Sequence, residues 1–264
     1  MFAWLVHLGD LAIITFTCHL LRVVVRKLLP DTPRILLEEL ISTADFCGCC
    51  FEMAFLFEVY GTIPFGIALF IMCLWWCYIW GDAAVNPNKH LEDYIKGEAS
   101  VLQAGLRILF EMVAGIYTFW FIHYMWSFGL SVEHKYKSRE KICDADLQVS
   151  PMKGALVEGI LTFIDRFNAL VAGDIAPLQS VVYSAGLSTG LVLAGLNYSG
   201  GYFNPVLATS LKYGCRGHNV LEFFLVYWIG SVTGCLVALY LYMFVVSRFT
   251  KKRAPVEAEE KKVN

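Results

Sequence analysis

The chain has 264 residues, enough for one or two soluble domains, yet 57% of them are hydrophobic and the mean hydropathy is +0.56. Only 17% are charged where about 25% is usual, so polar surface is too scarce to cover the apolar residues and lipid must solvate part of them. A net charge of −2 excludes a strongly basic nucleic-acid binder, which leaves an integral, multi-pass membrane protein with the bilayer as its first partner.

Apolar segments near the roughly 20 residues needed to span a bilayer occur over 3–25, 34–58, 61–80, 101–130, 153–172, 176–197 and 220–247. These lengths predict helices, because a barrel strand needs only about 9–11 residues. The first segment lacks a basic leader, contains Asp10 and is followed by Arg22, Arg26 and Lys27, so it reads as a retained helix rather than a secretory signal. Those cations, and Arg248, Lys251, Lys252 and Arg253 near the other end, predict both helix ends to be cytosolic. The same topology makes the loop 131–152 luminal, against the rule, since it carries Lys135, Lys137, Arg139 and Lys141.

The segments repeat. ELIST at 39–43 opens the second and EGILT at 158–162 the fifth; Asn86-Pro87 follows Glu39 by 47 residues and Asn204-Pro205 follows Glu158 by 46. Each Asn-Pro comes after two spans and before a third. Equal units with an odd number of spans have opposite orientations, so the pattern predicts an inverted repeat. The division is an N-terminal hydrophobic helix over 1–30, a first repeat over 34–130, a polar connecting loop over 131–152, a second repeat over 153–247 and a cytosolic tail over 248–264. Asn is a strong helix N-cap and Pro suits the first helical position, so each pair should start a short half-helix. Two such helices entering from opposite faces would meet by their positive amino ends, repelling cations while the Asn amides bond a passing oxygen.

LNYSGGYFNPV at 196–206 closely resembles the second signature of the aquaporins, the major intrinsic proteins, as do the paired Glu-x-x-x-Thr openings and Tyr227-Trp228. The resemblance covers roughly 34–247. It implies an all-α bundle of six spanning helices plus two re-entrant half-helices, with the N-terminal hydrophobic helix additional to it. It also implies a homotetramer with one pore per protomer, and loops braced by Glu39 and Glu158. The two boxes read Asn86-Pro87-Asn88 and Asn204-Pro205-Val206, where the family generally has Asn-Pro-Ala, and Leu207 stands where most members have a filter Arg. Cys215, nine residues past Val206, and the altered first box are similar to the divergent superaquaporin branch, aquaporins eleven and twelve. Carried over by spacing, the selectivity filter falls on Val192, Gly201, Leu207 and Gly66, with Phe65 and Phe70 as alternatives to Gly66. That constriction would be apolar and wide, suited to glycerol-like or peroxide-like solutes, and able to close by dewetting.

Charges at Lys89, His90, Glu92, Asp93 and Lys96 make deep insertion of the first half-helix costly, so either its first turn alone enters or the charges face a cytosolic vestibule. Arg107 and Glu111, four apart, are expected to pair. Asp165-Arg166 is expected at the cytosolic end of its helix. His7, His19 and His123 read as isolated packing residues, and Cys47, Cys49 and Cys50 as core thiols. Cys143 and Cys215 share the luminal side and are candidates to pair. Asn197-Tyr198-Ser199 is a glycosylation sequon that overlaps the pore loop. No catalytic constellation occurs, and neither a metal site nor a cofactor is expected. Lys261-Lys262 resembles a dilysine signal for retrieval to the endoplasmic reticulum. The expected function is a passive channel for water and small neutral solutes in an intracellular membrane. The alternative is a non-conducting structural protein that retains the fold, and an ion channel is a third reading.

Overall fold

The computed structural model describes residues 3–139, 143–172 and 177–245. Helices run over α1 (Ala3–Leu28), α2 (Asp31–Tyr60), α3 (Thr62–Ile79), α4 (Pro87–Lys96), α5 (Val101–Trp126), α6 (Val132–Lys137), α7 (Pro151–Val171), α8 (Pro177–Gly195), α9 (Pro205–Lys212) and α10 (Val220–Val245). Their limits follow local chemistry. Ser100 with Gln103, and Asn219 with Glu222, form reciprocal capping boxes at the starts of α5 and α10. Gly61, at φ +83°, turns the chain between α2 and α3 and donates its N–H to Phe57 O. Within α10 the stretch Phe224–Gly230 is π-helical. The loop expected over 131–152 contains the short helix α6, started by Ser131, whose side chain accepts from His134 N.

Among the described residues five helices, α1, α2, α3, α5 and α10, are long and apolar enough to cross a membrane. Of the other two long helices, α7 carries four charges, Lys153, Glu158, Asp165 and Arg166, whereas α8 carries none. On α3, Ile63, Ile67, Ile71 and Tyr78 are all exposed and recur at helical spacing, which marks a face for lipid. The boundary segments at 173–174 and the basic tail with Lys261 and Lys262 lie outside the described residues.

The long helices repeat in kind: α2, α3, half-helix α4 and α5, then α7, α8, half-helix α9 and α10. Contacts repeat as well. α2 packs on α5 as α7 packs on α10, while α3 meets α8 and α4 meets α9 across the centre. Three traversals by α2, α3 and α5 bring α7 in from the face opposite to the start of α2, so the halves are inverted. The α7–α10 contact is close because both helices offer glycines. A methyl on Gly230 would stand 2.5 Å from Ala155 O, and one on Gly234 would run into Gly159 O.

Outside the repeat, α1 lies along α2. Its exposed side is apolar, with Phe16, Leu20, Leu21 and Val24, but its inner side is polar. Arg22, fully buried, donates to Asp45 Oδ2 at 3.0 Å and to Ser42 Oγ at 3.4 Å; Thr15 donates to Asp45; Arg26 pairs with Glu38 at 3.1 Å. Glu38, Asp45 and Glu52 recur every seven residues on α2 and so form one stripe facing α1. On the face where α2 ends, a disulfide joins Cys143 to Cys215, with Cα atoms 4.7 Å apart. The remaining seven cysteines are free, with Cys47, Cys49 and Cys235 buried.

Candidate functional site: the meeting of the two half-helices

Each half-helix starts at the Pro of an Asn-Pro pair. Asn86 Oδ1 accepts from Asn88 N at 3.1 Å, and Asn204 Oδ1 accepts from Val206 N and Leu207 N at 3.0 and 3.3 Å. With the carbonyl side of each amide committed to its own helix, the nitrogen points across to the other. Asn86 Nδ2 donates to Phe203 O at 3.3 Å and Asn204 Nδ2 donates to Val85 O at 2.6 Å. The amino ends of α4 and α9 are therefore stitched to one another. A carboxamide nitrogen has two hydrogens, so each Asn keeps one for another acceptor.

Val85 and Phe203, the residues just before each Asn, have positive φ, 56° and 32°. A bulky or β-branched residue is an outlier there and persists only when its surroundings hold it. Two buried carboxylates do so. Glu39 Oε1 accepts from Ala84 N at 2.9 Å and Val85 N at 2.6 Å. Glu158 accepts from Tyr202 N at 3.1 Å, Phe203 N at 2.5 Å and Ser199 Oγ at 2.6 Å. Tyr227 of α10 adds a hydrogen bond to Ser199 O at 2.8 Å. Ser199, the hydroxyl residue of the sequon, is thus buried in this network, while Asn197 is exposed.

The third box residues point away from the centre. Asn88 is buried against α10, where Nδ2 donates to Ser231 Oγ at 2.7 Å. Val206 is buried on Gly115 of α5, whose missing side chain makes room for it: a methyl there would be 3.1 Å from Val206 Cγ1. Each departure from Ala thus meets a matching neighbour, polar for Asn88 and small for Val206.

A cavity of about 760 Å³ passes both Asn side chains, reaching from Trp80, Asp165 and Arg166 toward one face to Asp146, Lys212 and Cys143 at the disulfide-bearing face. Val192, Gly201 and Leu207 line it beside Asn204. Gly201 sits at φ +67°, and a methyl there would be 2.8 Å from Val192 O, so glycine is required by both backbone and space. Gly66, the remaining filter position counted from the sequence, does not line the cavity. It packs on Leu193 of α8, and the preceding Phe65 lines the cavity instead, since one residue turns a helix by about 100°. Of the alternatives, Phe70 does not line it either.

The charges of α4 are arranged differently from either expectation. His90 and Glu92 are buried, not solvated, because other helices supply partners. Arg166 of α7 clamps Glu92 through two bonds of 2.8 and 2.7 Å, and Cys235 Sγ approaches Glu92 at 3.4 Å. His90 Nε2 lies 3.5 Å from Glu39 and 3.3 Å from Glu111. Lys89 pairs with Asp93, and Lys96 with Glu98 at 2.8 Å. Glu111 faces His90 on α4, and no Arg107–Glu111 ion pair occurs among the described residues. Asp165 accepts from Ser188 at 2.7 Å. His19 and His123 sit among aromatic rings, whereas His7 is not isolated: it contacts Glu52 at 3.1 Å. Sequence spacing carries no sign of the Glu92–Arg166 and His7–Glu52 pairs, which are 74 and 45 residues apart. The seven-residue period of Glu38, Asp45 and Glu52 was the available signal for the α1 seam.

No family model matches the chain. Among individual proteins, aquaporin-11 of Milnesium tardigradum is 30% identical over 240 residues, spanning 90% of this chain and 87% of that protein. Human aquaporin-11 is 26% identical over 242 residues, 90% of this chain and 88% of that protein. Mouse aquaporin-12 is 27% identical over 233 residues, 85% and 80% of the two chains. With two inverted halves stitched at paired Asn-Pro helix starts, and likeness of this extent to aquaporins-11 and -12, the chain belongs to the aquaporin family, as a membrane channel protein of superaquaporin type.

Proposed function

We propose that the chain is a passive channel for water and small neutral solutes, glycerol-like and peroxide-like, in an intracellular membrane. The observation that carries this reading is the cavity of about 760 Å³ running past Asn86 and Asn204, with Leu207, Val192, Gly201 and Phe65 along its wall. Each Asn retains one amide hydrogen for a passing oxygen, and the facing helix amino ends disfavour cations. A wall without a cation near Leu207 suits solutes larger and less polar than water. Burial and pairing of His90 and Glu92 remove the objection that the first half-helix is too charged to insert. Glu39 and Glu158 serve as loop braces, and Cys215 joins the second half-helix region to the connecting loop.

The Cys143–Cys215 disulfide also bears on topology. Disulfides persist in oxidising compartments, so its face is the luminal one, and the opposite face, with Arg26 and the charged end of α4, is cytosolic. Lys137 in the connecting loop is paired with Glu58 at 3.2 Å, which offsets the cost of placing cations on that side. The family architecture supports a homotetramer.

A second reading, a non-conducting structural protein, is favoured by one feature: a stretch walled by Leu207, Val192 and Phe65 can dewet. Swelling and uptake assays on reconstituted vesicles, comparing water, glycerol and hydrogen peroxide, separate the two. Conduction predicts faster transport than in empty vesicles, lost in Leu207→Trp; equal rates in loaded and empty vesicles refute it.

A further inference from the structure

At the disulfide-bearing face, away from the cavity centre, three elements converge on one carboxylate oxygen. His7 Nδ1 of α1 and His134 Nε2 of α6 each lie 3.1 Å from Glu52 Oε2 of α2. All three side chains are buried, and their donor atoms lie within 4.8 Å of one another. Asp10 Oδ2, also on α1, is 3.8 Å from His134 Nε2. We propose that His7, Glu52 and His134, completed by Asp10, bind a divalent transition-metal cation of the zinc class.

The distances suit such an ion. Zinc–nitrogen and zinc–oxygen bonds of about 2.0–2.2 Å set the edges of a ligand tetrahedron at roughly 3.3–3.5 Å, and the nitrogen–oxygen separations here are close to that. Two imidazoles with two carboxylates form a donor set matched to zinc rather than to calcium or magnesium, which take oxygen ligands.

The surroundings are those of a metal site as well. Glu52 Oε1 accepts from Trp126 Nε1 at 2.6 Å, which fixes the carboxylate and leaves Oε2 to the ion. His7 Nε2, on the far side of the ring, faces Glu133 Oε2 at 3.8 Å. A carboxylate behind the ring is the partner that a carboxylate–histidine–metal arrangement needs, and the pair would close to hydrogen-bond distance once Nε2 carries the hydrogen.

Hydrogen bonding alone accounts for the cluster poorly. If both rings donate to Glu52 Oε2, neutral His7 turns a bare lone pair toward the Glu133 carboxylate. His7 Nε2, His134 Nδ1 and Glu133 Oε2 are then all buried without a hydrogen-bond partner. A bound cation takes the Nδ1 lone pair of His7 and moves its hydrogen to Nε2, toward Glu133. The site would fasten the extra helix α1 and the connecting loop to the repeat, a structural role separate from permeation.

The test uses tag-free, full-length protein in detergent, stripped with chelator and titrated with zinc, with bound metal and melting temperature measured. Expected are one zinc per chain assignable to this site, a higher melting temperature with zinc, loss of that equivalent in His134→Ala, and about 10–100-fold weaker binding in Glu133→Gln. His123→Ala is expected to bind like the parent. Should His134→Ala fail to fold, the parent with and without chelator, together with Glu133→Gln, decides. No stoichiometric zinc in the parent, or an equivalent lost in His90→Ala but kept in His7→Ala, overturns the proposal.

Discussion

The contact between α7 and α10 allows a quantitative test, because the same substitution should act oppositely at two glycines. A methyl on Gly230 would stand 2.5 Å from Ala155 O and 3.0 Å from Ala155 Cα. Carbon–oxygen contacts are comfortable from about 3.3 Å, so α10 must move from α7 by roughly 0.8 Å. A gap of about 0.5–1 Å forfeits a quarter to a half of the dispersion energy across the contact, and overpacking of this kind typically costs about 1–3 kcal/mol. Gly105 on α5 has nothing within 4 Å of the corresponding position. There Ala gains up to about 1 kcal/mol of helix propensity and meets no neighbour. Thermal unfolding of purified protein in detergent, followed by tryptophan fluorescence, should place Gly230→Ala below the parent and Gly105→Ala at or above it. A Gly230→Ala variant as stable as Gly105→Ala would show that the close approach of the two helices is not what the glycine serves.

Replacing Glu158 with Gln keeps the shape but turns an amide NH2 toward donors, so either Phe203 N, or Tyr202 N and Ser199 Oγ together, lose their acceptor. A loss of about 1–3 kcal/mol in thermal stability, with reduced vesicle permeability, is expected. Arg166→Met leaves Glu92 buried without its bidentate partner; destabilisation of about 3–5 kcal/mol should appear in unfolding, and the double variant with Glu92→Leu should recover much of it. Cys143→Ser opens a disulfide spanning 72 residues, with a loss of at most about 4.4 kcal/mol in the chain-entropy model. The parent alone should then show a melting temperature that falls on reduction.

What could be read from the sequence was what is local or repeated. Asn before Pro specifies a helix start through its own side chain and the next amides, so the starts of α4 and α9 were legible as text. The repeat spacing fixed their relation. The stretch of charge at 89–96 was misread because partners of His90 and Glu92 come from α2, α5 and α7, and nothing in a linear segment shows that. At the first filter position an ungapped count carries an error of a residue, and on a helix one residue exchanges the cavity-lining ring of Phe65 for Gly66, which packs on Leu193. The His7–Glu52–His134 cluster joins residues 45 and 82 apart through an element, α6, that the polarity of its segment concealed.

The polar seam between α1 and α2 also has a consequence for how the chain enters the membrane. Asp45 lies midway along α2, and a lone acid at the centre of a hydrocarbon core costs about 2.5–3.5 kcal/mol on insertion scales, as does a lone Arg. Alone, each helix carries part of that penalty; together, Arg22 and Thr15 meet Asp45, and Arg26 meets Glu38. The first two helices are thus matched as a hairpin whose buried charges are paired within it, which lowers the cost of placing them in lipid together. The segment outside the repeat then becomes the escort that lets an acid-bearing helix begin it.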